Sequence, residues 1–168
     1  MVSRINWRTI LSVFAIMLFA FGCAKAPSAL QNSTTKTIFF STKDFRFYDL
    51  GFVKSYANST SLEIFNAGAV LLKMDCYKNK ICLNTKCYAK DSIVRHFFGN
   101  DGFRELDFQA VLKGWEIFNG ENKVGIQNGF SQRILRQGLE LNYNSTQDSI
   151  SLEIKNTQKK TIFSLRIH

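Results

Sequence analysis

Downstream of Pro27 the chain contains no proline. Proline removes a ladder donor and is confined to strand edges and bulges, so a stretch of about 140 residues without it is free to pair along its whole length. Within that stretch, strand-length runs alternate with turn cues. The candidate strands are 36–42, 45–54, 60–66, 69–77 and a small hairpin over 80–89, then 115–119, 122–127, 130–137, 139–144, 149–155 and 161–167. Period-two alternation is clear at Phe45 and Phe47 and at Leu62 and Ile64. Turn cues lie between the later runs at Gly120, Asn128-Gly129, Gly138 and Asn144-Ser145. Asn-Gly in particular favours a hairpin turn.

The texture changes once, in the middle. In 90–99, Ile93, Val94, Phe97 and Phe98 stand at helical spacing, with Asp91 as N-cap and Gly99 as stop. In 104–113, Leu106, Phe108, Val111 and Leu112 repeat the device before Gly114. The expected fold is therefore mainly β. It is a curled antiparallel sheet, a half-barrel of about ten strands, with two short helices inserted as a lid. A sheet of that length cannot stay flat, and amphipathic helices can cover its concave side.

Sixteen Phe residues are available to fill the space between. They either pack as a core, the commoner outcome, or line a cavity for an apolar ligand. In the second case Ile93, Phe97, Phe98 and Leu112 are the lid residues that would touch the ligand.

The N-terminus reads as an address. Arg4 and Arg8 precede the uncharged run Ile10–Gly22, and small residues follow. A basic start, a short apolar stretch and small residues at its end describe a secretory signal peptide. At 13 residues the run is too short to span a bilayer core of roughly 30 Å. The stretch Leu18–Cys23 resembles a bacterial lipobox. That resemblance implies cleavage before Cys23, acylation of Cys23, and anchoring by buried acyl chains worth about 0.8 kcal/mol per methylene. Ala24 in place of Asp implies sorting to the outer membrane, with the domain facing the periplasm. The organisation expected is a signal peptide over 1–22, an anchor and polar tether over 23–35 with one helical turn at Ser28–Gln31, and a single domain over 36–168.

Removing Arg4 and Arg8 with the signal lowers the formal charge from +9 to +7. An exported protein does not meet nucleic acid, so the basic balance suits an anionic lipid or glycan, or serves solubility alone.

Export also makes a disulfide plausible among Cys76, Cys82 and Cys87. A two-residue turn at Lys78-Asn79 sets Cys76 opposite Ile81. A second at Asn84-Thr85 sets Cys82 opposite Cys87. Directly opposed residues lie just outside disulfide range and need modest strand closure. The expected bridge is Cys82–Cys87, leaving Cys76 a buried thiol; the alternative is three reduced core residues. No zinc spacing is present.

A lipobox followed by a curled sheet with helices inserted midway resembles the LolA and LolB family of lipoprotein-localisation proteins. The residues that carry the resemblance are Phe65–Leu72 between two early strands and the stretch Phe97–Phe118. The resemblance implies a half-barrel, a helical lid and an apolar interior that holds the acyl chains of client lipoproteins. It also implies a membrane-contacting loop near Asn66–Ala69, where Val70 is the apolar residue that follows. The Lys- and Phe-rich, Pro-poor texture also looks like exported lipoproteins of the Campylobacter and Helicobacter group.

Enzyme motifs are missing. The chain has no GxSxG, HExxH, P-loop or GxGxxG pattern. His96 on a helix and His168 at the last position suggest no base, and Asp44, Asp49 and Asp101 are isolated acids beside turns. Two functions are expected from this reading. The first is an outer-membrane-anchored lipoprotein binding an apolar ligand such as acyl chains. The second is a non-enzymatic interaction subunit of an envelope assembly with no ligand cavity. Neither needs a cofactor or a metal.

Overall fold

The computed structural model describes residues 29–168. The expected signal peptide over 1–22 and the expected lipidation site Cys23 lie outside the described residues. Eleven strands form one sheet: β1 (Leu30–Ser41), β2 (Arg46–Tyr56), β3 (Ser59–Asn66), β4 (Ala69–Tyr77), β5 (Lys80–Leu83), β6 (Lys86–Ala89), β7 (Lys123–Ile126), β8 (Gly129–Arg136), β9 (Leu139–Thr146), β10 (Ile150–Lys155) and β11 (Thr161–Ile167). Two helices, α1 (Lys90–Phe98) and α2 (Phe108–Leu112), lie between β6 and β7, and a 3-10 turn spans Phe118–Gly120.

The spatial order is β6-β5-β4-β3-β2-β1-β11-β10-β9-β8-β7, and every pairing is antiparallel. Two meanders thus run outward from a central seam where β1 meets β11. At that seam Ile38 faces Ile167 and Phe40 faces Leu165. The sheet is unclosed, with β6 and β7 as its edges.

Tight two-residue turns hold the hairpins. Ala67 and Gly68 join β3 to β4 with φ of 49° and 82°, and Gln137 and Gly138 join β8 to β9 with φ of 47° and 76°. Turns with both central residues left-handed match the twist of the flanking strands. Curling demands one further small residue. A Cβ on Gly51 in β2 would stand 2.4 Å from Ile38 Cδ1 and 2.3 Å from the Glu63 carbonyl oxygen. Only glycine lets β1, β2 and β3 approach this closely.

Four expectations need correction. First, β1 begins at Leu30, so residues 30–35 of the expected tether are strand and no helical turn forms at Leu30-Gln31. Their backbone pairs with β2, as in Thr35 opposite Phe52, and this ladder outweighs local polar composition. Second, α1 starts at Lys90 with Ala89 as N-cap, which places Asp91 inside the first turn. Gly99 ends the helix in the left-handed conformation at φ 79°, as its position suggested. Third, α2 is shorter than 104–113. Arg104 and Leu106 are taken up by turns closing on Asp101 and Phe103, and the Asp107 side chain caps the helix by accepting from Gln109 N. Fourth, 115–119 is not a strand. Gln132 on β8 accepts from Ile117 N at 2.9 Å and donates to Ile117 O at 2.9 Å and Glu121 O at 2.8 Å. One buried amide side chain satisfies the backbone that a ladder would otherwise serve.

Candidate functional site

The concave face of the sheet and the undersides of both helices form one apolar core. From α1 it takes Ile93, Val94, Phe97 and Phe98; from α2, Phe108, Ala110, Val111 and Leu112. Phe163 on β11 lies at its centre. Its ring stands 5.6 Å from Phe40, 5.6 Å from Phe97, 5.2 Å from Phe98 and 6.0 Å from Phe108. Most of these contacts are edge-to-face, the geometry aromatic quadrupoles favour. The expected lid residues Ile93, Phe97, Phe98 and Leu112 are therefore brought together with the sheet, each at most 8% exposed.

The two helices are held differently. The segment around α2 is pinned by polar bonds. Tyr143 on β9 donates its hydroxyl to Trp115 O at 3.0 Å and Val111 O at 3.4 Å, and Ser145 donates to Gly114 O at 2.8 Å. Helix α1 lies against β5, β6 and β11 through apolar side chains. Among the described residues its one hydrogen bond to the sheet region is at its first residue, from Lys90 N to Asn79 O at 3.2 Å. Its Arg95 pairs with Asp101 at 2.8 Å in the loop that follows, not with a strand. Asn100 in that loop donates to Gln137 O at 3.2 Å.

Val70 is 49% exposed and Leu71 40% exposed, beside the turn Ala67-Gly68. Leu50 on the neighbouring β2 is also exposed. The hairpin thus presents an apolar tip to solvent, beyond Val70 alone.

The Cys82–Cys87 disulfide is present, in the register Cys82 opposite Cys87 and Leu83 opposite Lys86. The two Cα atoms stand 3.8 Å apart, so the two strands close together at the bridge. Cys76 is buried and unbridged, facing Ile81. Burial, followed by the fields of Asp107 and Asp75, pushes its thiol pKa strongly up. A thiol so held is a poor nucleophile.

Several of the remaining titratable groups form ion pairs. Glu63 lies between Lys54 at 2.6 Å and Lys73 at 3.5 Å. Glu140 accepts from Lys159, Asn142 and Arg133, and these bonds hold its carboxyl down to about 2. His96 is exposed on α1, 5.9 Å from the Phe97 ring. Asp101 is taken by Arg95, and Asp49 accepts from Leu50 N. No group of three or more His, Cys, Asp or Glu among the described residues is arranged to hold a metal ion. No helix among them is long and apolar enough to cross a membrane.

Two features were missed in the sequence. The pinning of α2 and the segment after it by Tyr143, Ser145 and Gln132 has no local signal, because their partners lie 11 to 32 residues away. The outer-face arginines Arg46 and Arg166, which share the Phe39 ring, come together only through the β1–β11 seam. Known protein-family models and curated protein sequences were compared with the chain, and none matches it.

Proposed function

We propose that this chain is a non-enzymatic lipoprotein, anchored in the outer membrane through Cys23, whose lid and sheet take up an apolar ligand of the acyl-chain class. The observation that carries the reading is the unequal attachment of the lid. Helix α1 rests on the aromatic core mainly through apolar side-chain contacts, whereas α2 and the residues just after it are fastened by hydrogen bonds from Tyr143 and Ser145. Lifting α1 costs few polar bonds, chiefly Lys90 N to Asn79 O and Asn100 to Gln137 O, and exposes Phe40, Phe97, Phe98 and Phe163. An acyl chain replaces ring contacts with methylene contacts of similar worth, about 25 cal/mol per Å² buried. The exposed tip at Val70, Leu71 and Leu50 gives such a protein a place to touch a bilayer. Client lipoproteins, which carry acyl chains, are the partner class this chemistry suits.

A second reading is favoured by a specific observation. In the closed arrangement Ile93, Phe97, Phe98 and Leu112 are interlocked with the sheet. If they never part, the domain is a solid interaction subunit of an envelope assembly. Two measurements separate these. The chain carrying Cys23→Ala is expected to leave the outer-membrane fraction; retention there would refute the anchor. Mass spectrometry of lipid extracted from the folded protein is expected to find acyl lipid near one per chain. A folded protein without lipid, and with no uptake of added fatty acid, would leave the interaction subunit.

A further inference from the structure

The outer face of the central seam carries a second constellation, remote in chemistry from the aromatic core. Ile38 and Phe40 point inward, so Phe39 between them points out. The same alternation turns Arg166 out between Leu165 and Ile167. Register places Phe39 directly between Arg166 on β11 and Tyr48 on β2. The Arg166 guanidinium carbon stands 4.3 Å from the Phe39 ring centroid, and that of Arg46 stands 5.3 Å from the same centroid. Two like charges thus share one ring, and neither has a carboxylate within 4.0 Å among the described residues.

Beside them opens a cleft of about 380 Å³ into which the hydroxyl-bearing Ser41, Ser151 and Ser164 also project. The one acid in its lining, Glu153, is already engaged. It pairs with Lys155 at 3.0 Å and accepts from Thr161 Oγ1 at 2.7 Å, and although it attracts Arg166 it makes no direct pair with it. What is left over is two guanidinium forks and several hydroxyl donors around a shallow, open space.

We propose that this cleft binds a phosphate-class oxyanion. Guanidinium forks match the tetrahedral oxygens of phosphate in a two-point arrangement that an ammonium lacks. Phe39 fixes both forks through cation–π contact without consuming their N–H donors. The serines supply neutral donors for the remaining oxygens. An anion seated here also relieves the repulsion between the two arginines. The ligand is either the phosphodiester headgroup of a phospholipid or a free phosphate. The proposal is independent of acyl binding, because the cleft is on the opposite face of the sheet from the core.

The test uses the full chain in nonionic detergent, titrated by calorimetry with inorganic phosphate and, separately, with glycerophosphoglycerol, a lipid headgroup without its chains. At least one probe is expected to bind, with affinity about tenfold weaker or more in Arg166→Gln and in Arg46→Gln. Arg166→Lys, which keeps the charge but not the fork, is expected to lose most of that binding. Arg104→Gln, which removes an equal charge from an exposed site elsewhere, is expected to match the parent. Binding of phosphate alone assigns a free anion; binding of the diester alone assigns a headgroup. Absence of binding by both probes in the parent would overturn the site. So would parental affinity in the Arg46→Gln, Arg166→Gln double variant, or an equal loss in Arg104→Gln. Far-UV circular dichroism establishes that each variant is folded.

Discussion

Gln132 is a buried polar residue that serves the backbone of another segment. It is 2% exposed and holds three backbone groups of the segment after α2. Removing it strands a buried N–H and two carbonyls, so Gln132→Ala is expected to destabilise the domain by about 3 kcal/mol. Urea denaturation followed by tryptophan fluorescence measures this; a change under 1 kcal/mol would mean that water replaces the amide. Glu140 is expected to set part of the acid response. Its carboxyl is held near 2, below the ordinary carboxylate value of 4.5, by hydrogen bonds from Lys159, Asn142 and Arg133. A depressed folded-state pKa contributes stability that is fully present above the unfolded value. That contribution fades as pH falls from about 4.5 towards 2. In Glu140→Gln this part of the acid dependence is expected to vanish, read from thermal melts between pH 5 and pH 2. An identical pH profile in parent and variant would refute it. Both residues were unreadable as sites beforehand. Gln132 reaches a segment 15 residues back and Lys159 is 19 residues from Glu140, so nothing local marks either one.

Among the elements, the lid helices make the sharpest contrast. α1 was legible because Ile93, Val94, Phe97 and Phe98 fall on one face, and all four are buried. Its attachment to the sheet was not legible, because that depends on which polar groups the strands direct at it. Amide hydrogen exchange is expected to show α1 exchanging faster than the Val111–Gly114 segment, since local opening follows the weaker tether. Equal protection would indicate that both helices open together with the whole domain. The β5–β6 hairpin was legible down to its disulfide. Two-residue turns set the register, and register alone brings Cys82 opposite Cys87. The run 115–119 read as a strand because Trp115, Ile117 and Phe118 satisfy strand composition. Gly114 at φ 70°, and Phe118 and Asn119 at φ 48° and 54°, break the extended backbone instead.

At the scale of the whole molecule, the β1–β11 seam joins two meanders that are otherwise linked through the helices. The inward side chains Ile38, Phe40, Phe163, Leu165 and Ile167 belong to one core shared by both halves. Truncation after Lys160, which deletes β11, is therefore expected to abolish the cooperative thermal transition of the entire domain. A surviving transition would show that one meander folds alone. By itself the sequence determined the alternation of strands and turns, the antiparallel meanders, the insertion of two helices midway and the Cys82–Cys87 pairing. These follow from periodicity and turn chemistry within a few residues, where local sterics and hydrogen bonding dominate. Only the tertiary structure decided that the first strand meets the last, that the lid phenylalanines close on Phe163, that Gln132 replaces a ladder, and that Arg46 and Arg166 share Phe39. Each depends on groups distant in sequence that meet only once the strands pair and the sheet folds over its helices. That assembly is a property of all eleven strands acting together, and no single segment encodes it.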